Sequence, residues 1–86
     1  MIIRQDGDYW IVQSDQYTLM HRVWRPEIKS HSEMSVGEAF INADGFWEVR
    51  VAERQGQRMV RITDSPKIAL EVLWEHRILM HWGYYQ

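Results

Sequence analysis

The stretch GFWEVRVAERQGQRMVRITDSPKIALEVLWEHRILMHW (Gly45–Trp82) changes its hydrophobic period halfway along, and that change decides the fold. In FWEVRVAE, Trp47, Val49 and Val51 alternate with Glu48 and Arg50, the period of two that marks a half-buried strand. RQGQ supplies turn residues, and RMVRIT resumes the alternation. Simple alternation sends Val60 and Ile62 to one side and Met59, Arg61 and Thr63 to the other. TDSPK then opens a helix. Ser65 suits the N-cap, and Pro66 suits the first helical position, where a backbone N–H has no partner inside the helix. Glu71 and Glu75 come early and Arg77 and His81 late, the order that the helix dipole favours, and Gly83 is placed to end the element. The expectation is a helix from about Ser65 to Trp82.

At about 100° per residue this helix has two apolar sides. Ile68, Ala69, Val72, Leu73, Leu79 and Met80 fall within one broad arc with His76 at its centre, the expected core face. Leu70, Trp74, Ile78 and Trp82 recur every fourth residue as a second stripe among Lys67, Glu71, Arg77 and His81. Two readings of that stripe stay open. In one, the N-terminal hairpin, the 26–35 segment or the GYYQ tail folds over it. In the other, it is an exposed ridge whose protein-contact residues are Leu70, Trp74, Ile78 and Trp82, rimmed by Arg77 and Glu71.

Working back toward the N-terminus, Asp6-Gly7 separates two β-type runs, a hairpin signal because glycine accepts positive φ without steric cost. Ser14–Gln16 is a second turn, and YTLMHRVWR (Tyr17–Arg25) reads as a longer strand stopped by Pro26. PEIKSHSEMS (26–35) is the one extended polar stretch and is expected to be a mobile loop. VGEAFI (36–41) reads as a strand rather than a helical turn, and NADG (Asn42–Gly45) has strong turn chemistry. The fold expected is α+β: an antiparallel β-sheet of five to six short strands with one long C-terminal helix packed on one face, in a single domain, 1–86.

Composition limits the chemistry. The 86 residues include no cysteine, so a disulfide framework and a thiolate zinc site are both excluded. Five tryptophans and 45% apolar residues argue for a packed domain over disorder. With 10 basic and 12 acidic residues the net charge is −2, too weak for a binder held mainly by phosphate contacts. Eight of the ten basic residues are arginine, the side chain suited to planar and stacked contacts. With no apolar run of about 18 residues and no signal peptide, a soluble cytoplasmic protein with no membrane partner is expected.

Candidate sites are few. His76 and His81 point about 140° apart on a helix and cannot share a metal. His76 among apolar neighbours is expected to donate to a backbone carbonyl. His31 and Glu33 in the polar stretch are the one catalytic or metal pair to consider, and their reading as solvated loop residues is favoured. No phosphate loop, nucleophile elbow or singled-out carboxylate pair is present, so the expectation is a non-enzymatic protein without cofactor or metal. The alternative is a nucleic-acid-binding accessory domain. Arg50 and Arg61 on neighbouring strands, joined by Arg22, would form its basic sheet face, with cross-strand ion pairs to Glu48 as the competing explanation.

Two resemblances bear on role. The strand-turn-strand-helix order from Gly45 to Leu73 looks like the second half of a double-stranded-RNA-binding domain. That family opens its closing helix with a lysine cluster, whereas DSPKIALE has Lys67 alone between Asp64 and Glu71, so the likeness is one of topology. YWIVQSDQYTLMHRVW (Tyr9–Trp24) resembles small uncharacterised proteins of temperate tailed phages and prophages of enteric bacteria in its strand, Ser-Asp turn, aromatic strand and Leu-x-His pattern. The resemblance implies no catalytic residues. It implies a role in binding a host or phage protein, for example to block a host defence complex. The function expected is therefore a phage- or mobile-element-type protein-binding module, with a protein partner or self-association as a homodimer.

Overall fold

The computed structural model of the chain describes residues 1–53 and 56–84, with side chains described through Arg77 of the helix. Six strands precede one helix: β1 (Ile2–Asp6), β2 (Tyr9–Gln13), β3 (Tyr17–Arg25), β4 (Ser30–Ile41), β5 (Trp47–Glu53), β6 (Gly56–Thr63) and α1 (Pro66–Tyr84). Each strand pairs antiparallel with the next, giving one meander in chain order. The α+β expectation holds, and VGEAFI is strand.

Local chemistry closes the turns. Gly7 takes φ 61 between β1 and β2. The Asn42 side-chain oxygen accepts from the backbone N–H groups of Asp44 and Phe46, at 3.0 and 3.1 Å, and so shapes the β4–β5 turn. At the helix start Ser65 Oγ accepts from the Ile68 N–H at 3.2 Å, satisfying one of the orphan donors of the first turn.

One side of the sheet carries the core. Ile11, Leu19, Val36, Ala39, Val49 and Val51 pack with Ala69 and Leu73 of α1. Tyr17 and Trp47 stack at 5.3 Å and pack against this cluster. Gly37 is where the layers come closest, because a Cβ there would stand 2.9 Å from Leu73 Cδ1 and 3.3 Å from the Arg50 carbonyl oxygen. The helix sits in that notch.

Three expectations are corrected. Residues 26–35 are not a loop: only Pro26–Lys29 turn, and Ser30 onward is the first half of a twelve-residue strand. SHSEMS lacks the β-branched residues that mark strands, but pairing with the whole upper half of β3 overrides that weak local preference. The faces of β6 also differ from simple alternation. Val49 pairs with Arg61 and Arg50 with Met59, which leaves Val60 as an extra bulged residue. Across the bulge the sides exchange, so Met59 shares the open side with Ile62, while Arg61 and Thr63 lie on the helix side. Ile68, expected in the core, is exposed, because the buried arc of α1 is centred on Ala69 and Leu73.

Replacing Gly37 by valine should lower stability by about 1–3 kcal/mol through forced repacking of Leu73. Thermal melting of the purified variant reads this, and an unchanged midpoint would contradict the close approach.

Candidate interaction surfaces

The stripe on α1 is only partly open. Leu70 and Trp74 are half-buried and pack against the core cluster. On either side of Trp74, two charged helix residues are tied to β1. Glu71 accepts a two-pronged hydrogen bond from the Arg4 guanidinium, and Arg77 donates to Asp6 at 3.2 Å. Arg77 also donates to the Trp74 carbonyl at 2.8 Å and places its guanidinium 4.2 Å from the centre of the indole ring. Of the two open readings, the N-terminal hairpin closing on this flank therefore describes Leu70, Glu71, Trp74 and Arg77. The ridge as an exposed four-residue surface is corrected to that extent; the side chains of Ile78 and Trp82 lie outside the described residues. The reason is geometric: Arg4 and Asp6 sit on the helix side of β1, two residues apart, and reach carboxylate and guanidinium partners that a single helix flank presents.

The Arg4 guanidinium hydrogen-bonded to Glu71 holds that carboxyl below the usual carboxylate range. His76 donates from Nδ1 to the Val72 carbonyl at 2.9 Å, the backbone-satisfied role expected of it.

The basic face is also redistributed. Paired residues on adjacent antiparallel strands share a side. Arg50 lies on the open side of the sheet, whereas Arg61, opposite Val49, lies on the helix side, so the two do not sit side by side. Arg50 is engaged by Glu48, whose carboxyl is held below its usual range first by the hydrogen bond from Arg50 and then by one from Asn42. Arg22 is on the open side, 5.6 Å over the buried ring of Trp10 and opposite Glu33. On this face Arg50 is held by Glu48 and Arg22 lies over Trp10. The ion pair at Arg50 is formed within β5 and not across strands.

A feature that pattern reading did not single out is a projecting ribbon. Pairing of β2 with β3 stops at His21, and pairing of β5 with β4 stops at Gly37. Past those points β3 and β4 continue through Arg22↔Glu33, Val23↔Ser32, Trp24↔His31 and Arg25↔Ser30; the Arg22 N–H still donates to the Asp8 carbonyl at 2.8 Å, and beyond it the two strands pair with each other alone among the described residues. The end is a tight turn in which Ile28 N–H and Lys29 N–H donate to the Arg25 and Pro26 carbonyls at 3.3 Å, with Lys29 in the left-handed region at φ 51. Trp24 is 53% exposed near this end and Ile28 62% exposed at it. The His31 ring meets Trp24 edge-on, at 5.1 Å and 67°. His31 and Glu33 therefore stand on one side of a narrow two-stranded ribbon. The signal available in the sequence was Trp24 itself, a large aromatic at the last outward position before Pro26.

At the base of the ribbon His21 is buried and stacks flat on Tyr9 at 4.1 Å and 8°. Burial, and then the nearby Asp8 carboxylate, push the Tyr9 hydroxyl above its usual value. Among the described residues no group of three histidine or carboxylate side chains is placed to hold a metal ion, and no helix is long and apolar enough to cross a membrane. No family model, no curated protein and no solved structure matches the chain.

Trp74→Ala should cost about 2 kcal/mol of stability, because it removes a half-buried ring from the core margin. A chemical denaturation curve superimposable on the parent would show instead that the ring stands free. The lowered Glu71 and Glu48 pKa values set a second expectation. Their stabilising contribution is complete above the unfolded glutamate value, about pH 4.3, and fades as pH falls through their lower folded values. Glu71→Gln should therefore flatten the loss of stability between about pH 5 and pH 3, read as melting midpoint against pH; a parallel curve would count against the Arg4 contact.

Proposed function

We propose that this chain is a small non-enzymatic module that acts in the cytoplasm by protein–protein contact, with the end of the β3–β4 ribbon as its contact surface. The observation that carries the reading is the exposure of Trp24 and Ile28 on an arm that extends past every other strand pairing. Tryptophan is among the residues that most often dominate binding energy, and isoleucine beside it extends the apolar contact. Arg25 and Lys29 flank the pair, a polar rim around an apolar centre.

Arrangement of charge supports protein over nucleic acid as the partner. Arg4, Arg50, Arg58 and Arg77 each face a carboxylate within this chain. A surface that binds phosphates needs those guanidiniums unpaired and gathered. The likeness of Tyr9–Trp24 to phage and prophage proteins points to a host protein, such as a component of a defence complex, as the class of partner.

Replacing Trp24 by alanine together with Ile28 by aspartate should leave the melting midpoint within a few degrees, because neither side chain belongs to the core cluster. The same double variant should lose partner capture by at least about tenfold, the loss of roughly 1.4 kcal/mol of contact. Equal recovery of the same host protein by parent and variant would remove the ribbon from consideration.

A further inference from the structure

The sheet has two outer strands, β1 and β6; both are bulged, and they differ in length and in their ties to the helix. An outer strand directs alternate N–H and C=O groups away from the sheet, where another strand can take them. β1 is five residues long, is broken by a bulge between Ile2 and Arg4, and has Arg4 and Asp6 tied to the helix. β6 is eight residues long and is exposed from Gly56 to Met59 and again at Arg61 and Ile62.

The bulge at Val60 gives β6 a pattern that a regular strand cannot have. Side chains three apart normally point to opposite sides. Here Arg58 pairs with Val51 and Arg61 with Val49, so both arginines stand on the helix side. Met59 opposite Arg50 and Ile62 opposite Glu48 both stand on the open side. Met59 and Ile62 are 46% and 48% exposed. Arg58 meets Glu53 at 2.6 Å at the solvent-exposed end of the strand, and Arg61 makes no ion pair among the described residues.

Arg58 is already engaged by Glu53, so Arg61 is the cation left open on this side of the outer strand among the described residues. A second copy pairing antiparallel through β6 would set Arg58 and Arg61 of one chain against the same residues of the other, and like charges across a strand pair are destabilising. A strand bearing carboxylates turns that repulsion into attraction. We propose that β6 takes an extended acidic segment of a partner protein as an additional antiparallel strand. A carboxylate of the segment faces Arg61, and its alternate apolar side chains cover Met59 and Ile62. Main-chain hydrogen bonds would supply affinity and the two-sided pattern specificity, as in other strand-addition complexes. This surface is separate from the ribbon and does not depend on it.

The test uses the full chain and labelled synthetic peptides of alternating glutamate and valine, read by fluorescence anisotropy. A lysine–valine peptide is the charge control. A glutamate–valine peptide N-methylated at alternate residues is the backbone control, since it lacks the donors that the β6 carbonyls need. The glutamate–valine peptide should bind at least about tenfold more tightly than the lysine–valine peptide, equivalent to 1.4 kcal/mol. N-methylation should abolish that binding. Arg61→Glu should reverse the preference, and Arg61→Gln, a milder change checked for folding by circular dichroism, should shrink it severalfold. Three results would each overturn the proposal: no binding of the glutamate–valine peptide, binding indifferent to charge, or binding indifferent to N-methylation. Sedimentation showing a dimer that Met59→Lys dissolves would overturn it too, by assigning β6 to a second copy.

Discussion

Everything in this fold depends on the approach of Leu73 to the backbone at Gly37. A single sheet layer with one helix has only one interface to exclude water, and the layers touch most closely where no Cβ intervenes. Leu73 fills the gap, Ala69 one turn earlier lets the helix lie flat, and the surrounding valines of β4 and β5 complete a small core. For a chain of 86 residues that interface has little area to spare, so large aromatics take a share of the burial. Trp47 and Tyr17 close one end of it, and Trp74 closes a flank.

The margins are held by charge. Arg4 and Glu71, and Asp6 and Arg77, join the first strand to the helix at residues separated by most of the chain. These pairs are partly exposed, so each is weak in free energy but specific in position. Their effect on function is indirect: side chains that looked like the rim of a binding surface are already used within the molecule. Among the described residues the ribbon end and the β6 edge carry exposed apolar groups, as do Ile2, Ile41, Phe46 and Ile68 elsewhere.

Regular elements were legible in the sequence because their patterns are local. Trp47, Val49 and Val51 alternate without interruption, and Ser65-Pro66 marks a helix start with chemistry that needs no tertiary information. What escaped pattern reading was set by pairing. Nothing in RMVRIT announces an extra residue at Val60, since the bulge is defined against β5, and it decides that Met59 shares a side with Ile62 and not with Arg61 and Thr63. Likewise SHSEMS becomes strand only because β3 is long enough to pair with it. The ion pairs of Glu71 and Arg77 escaped it for the same reason, as their partners lie at the opposite end of the chain.

The meander has a further consequence, for the order of assembly. Every strand pair joins sequence neighbours, so the sheet can grow hairpin by hairpin at low loop-closure cost. The helix adds contacts of longer span when it folds back on β4 and β5. Joining β1 to α1 requires closing nearly the whole chain, which favours its completion after the central hairpins have formed. The residues of β1 would then be among the last to be secured, and local opening would begin where Arg4 and Asp6 let go.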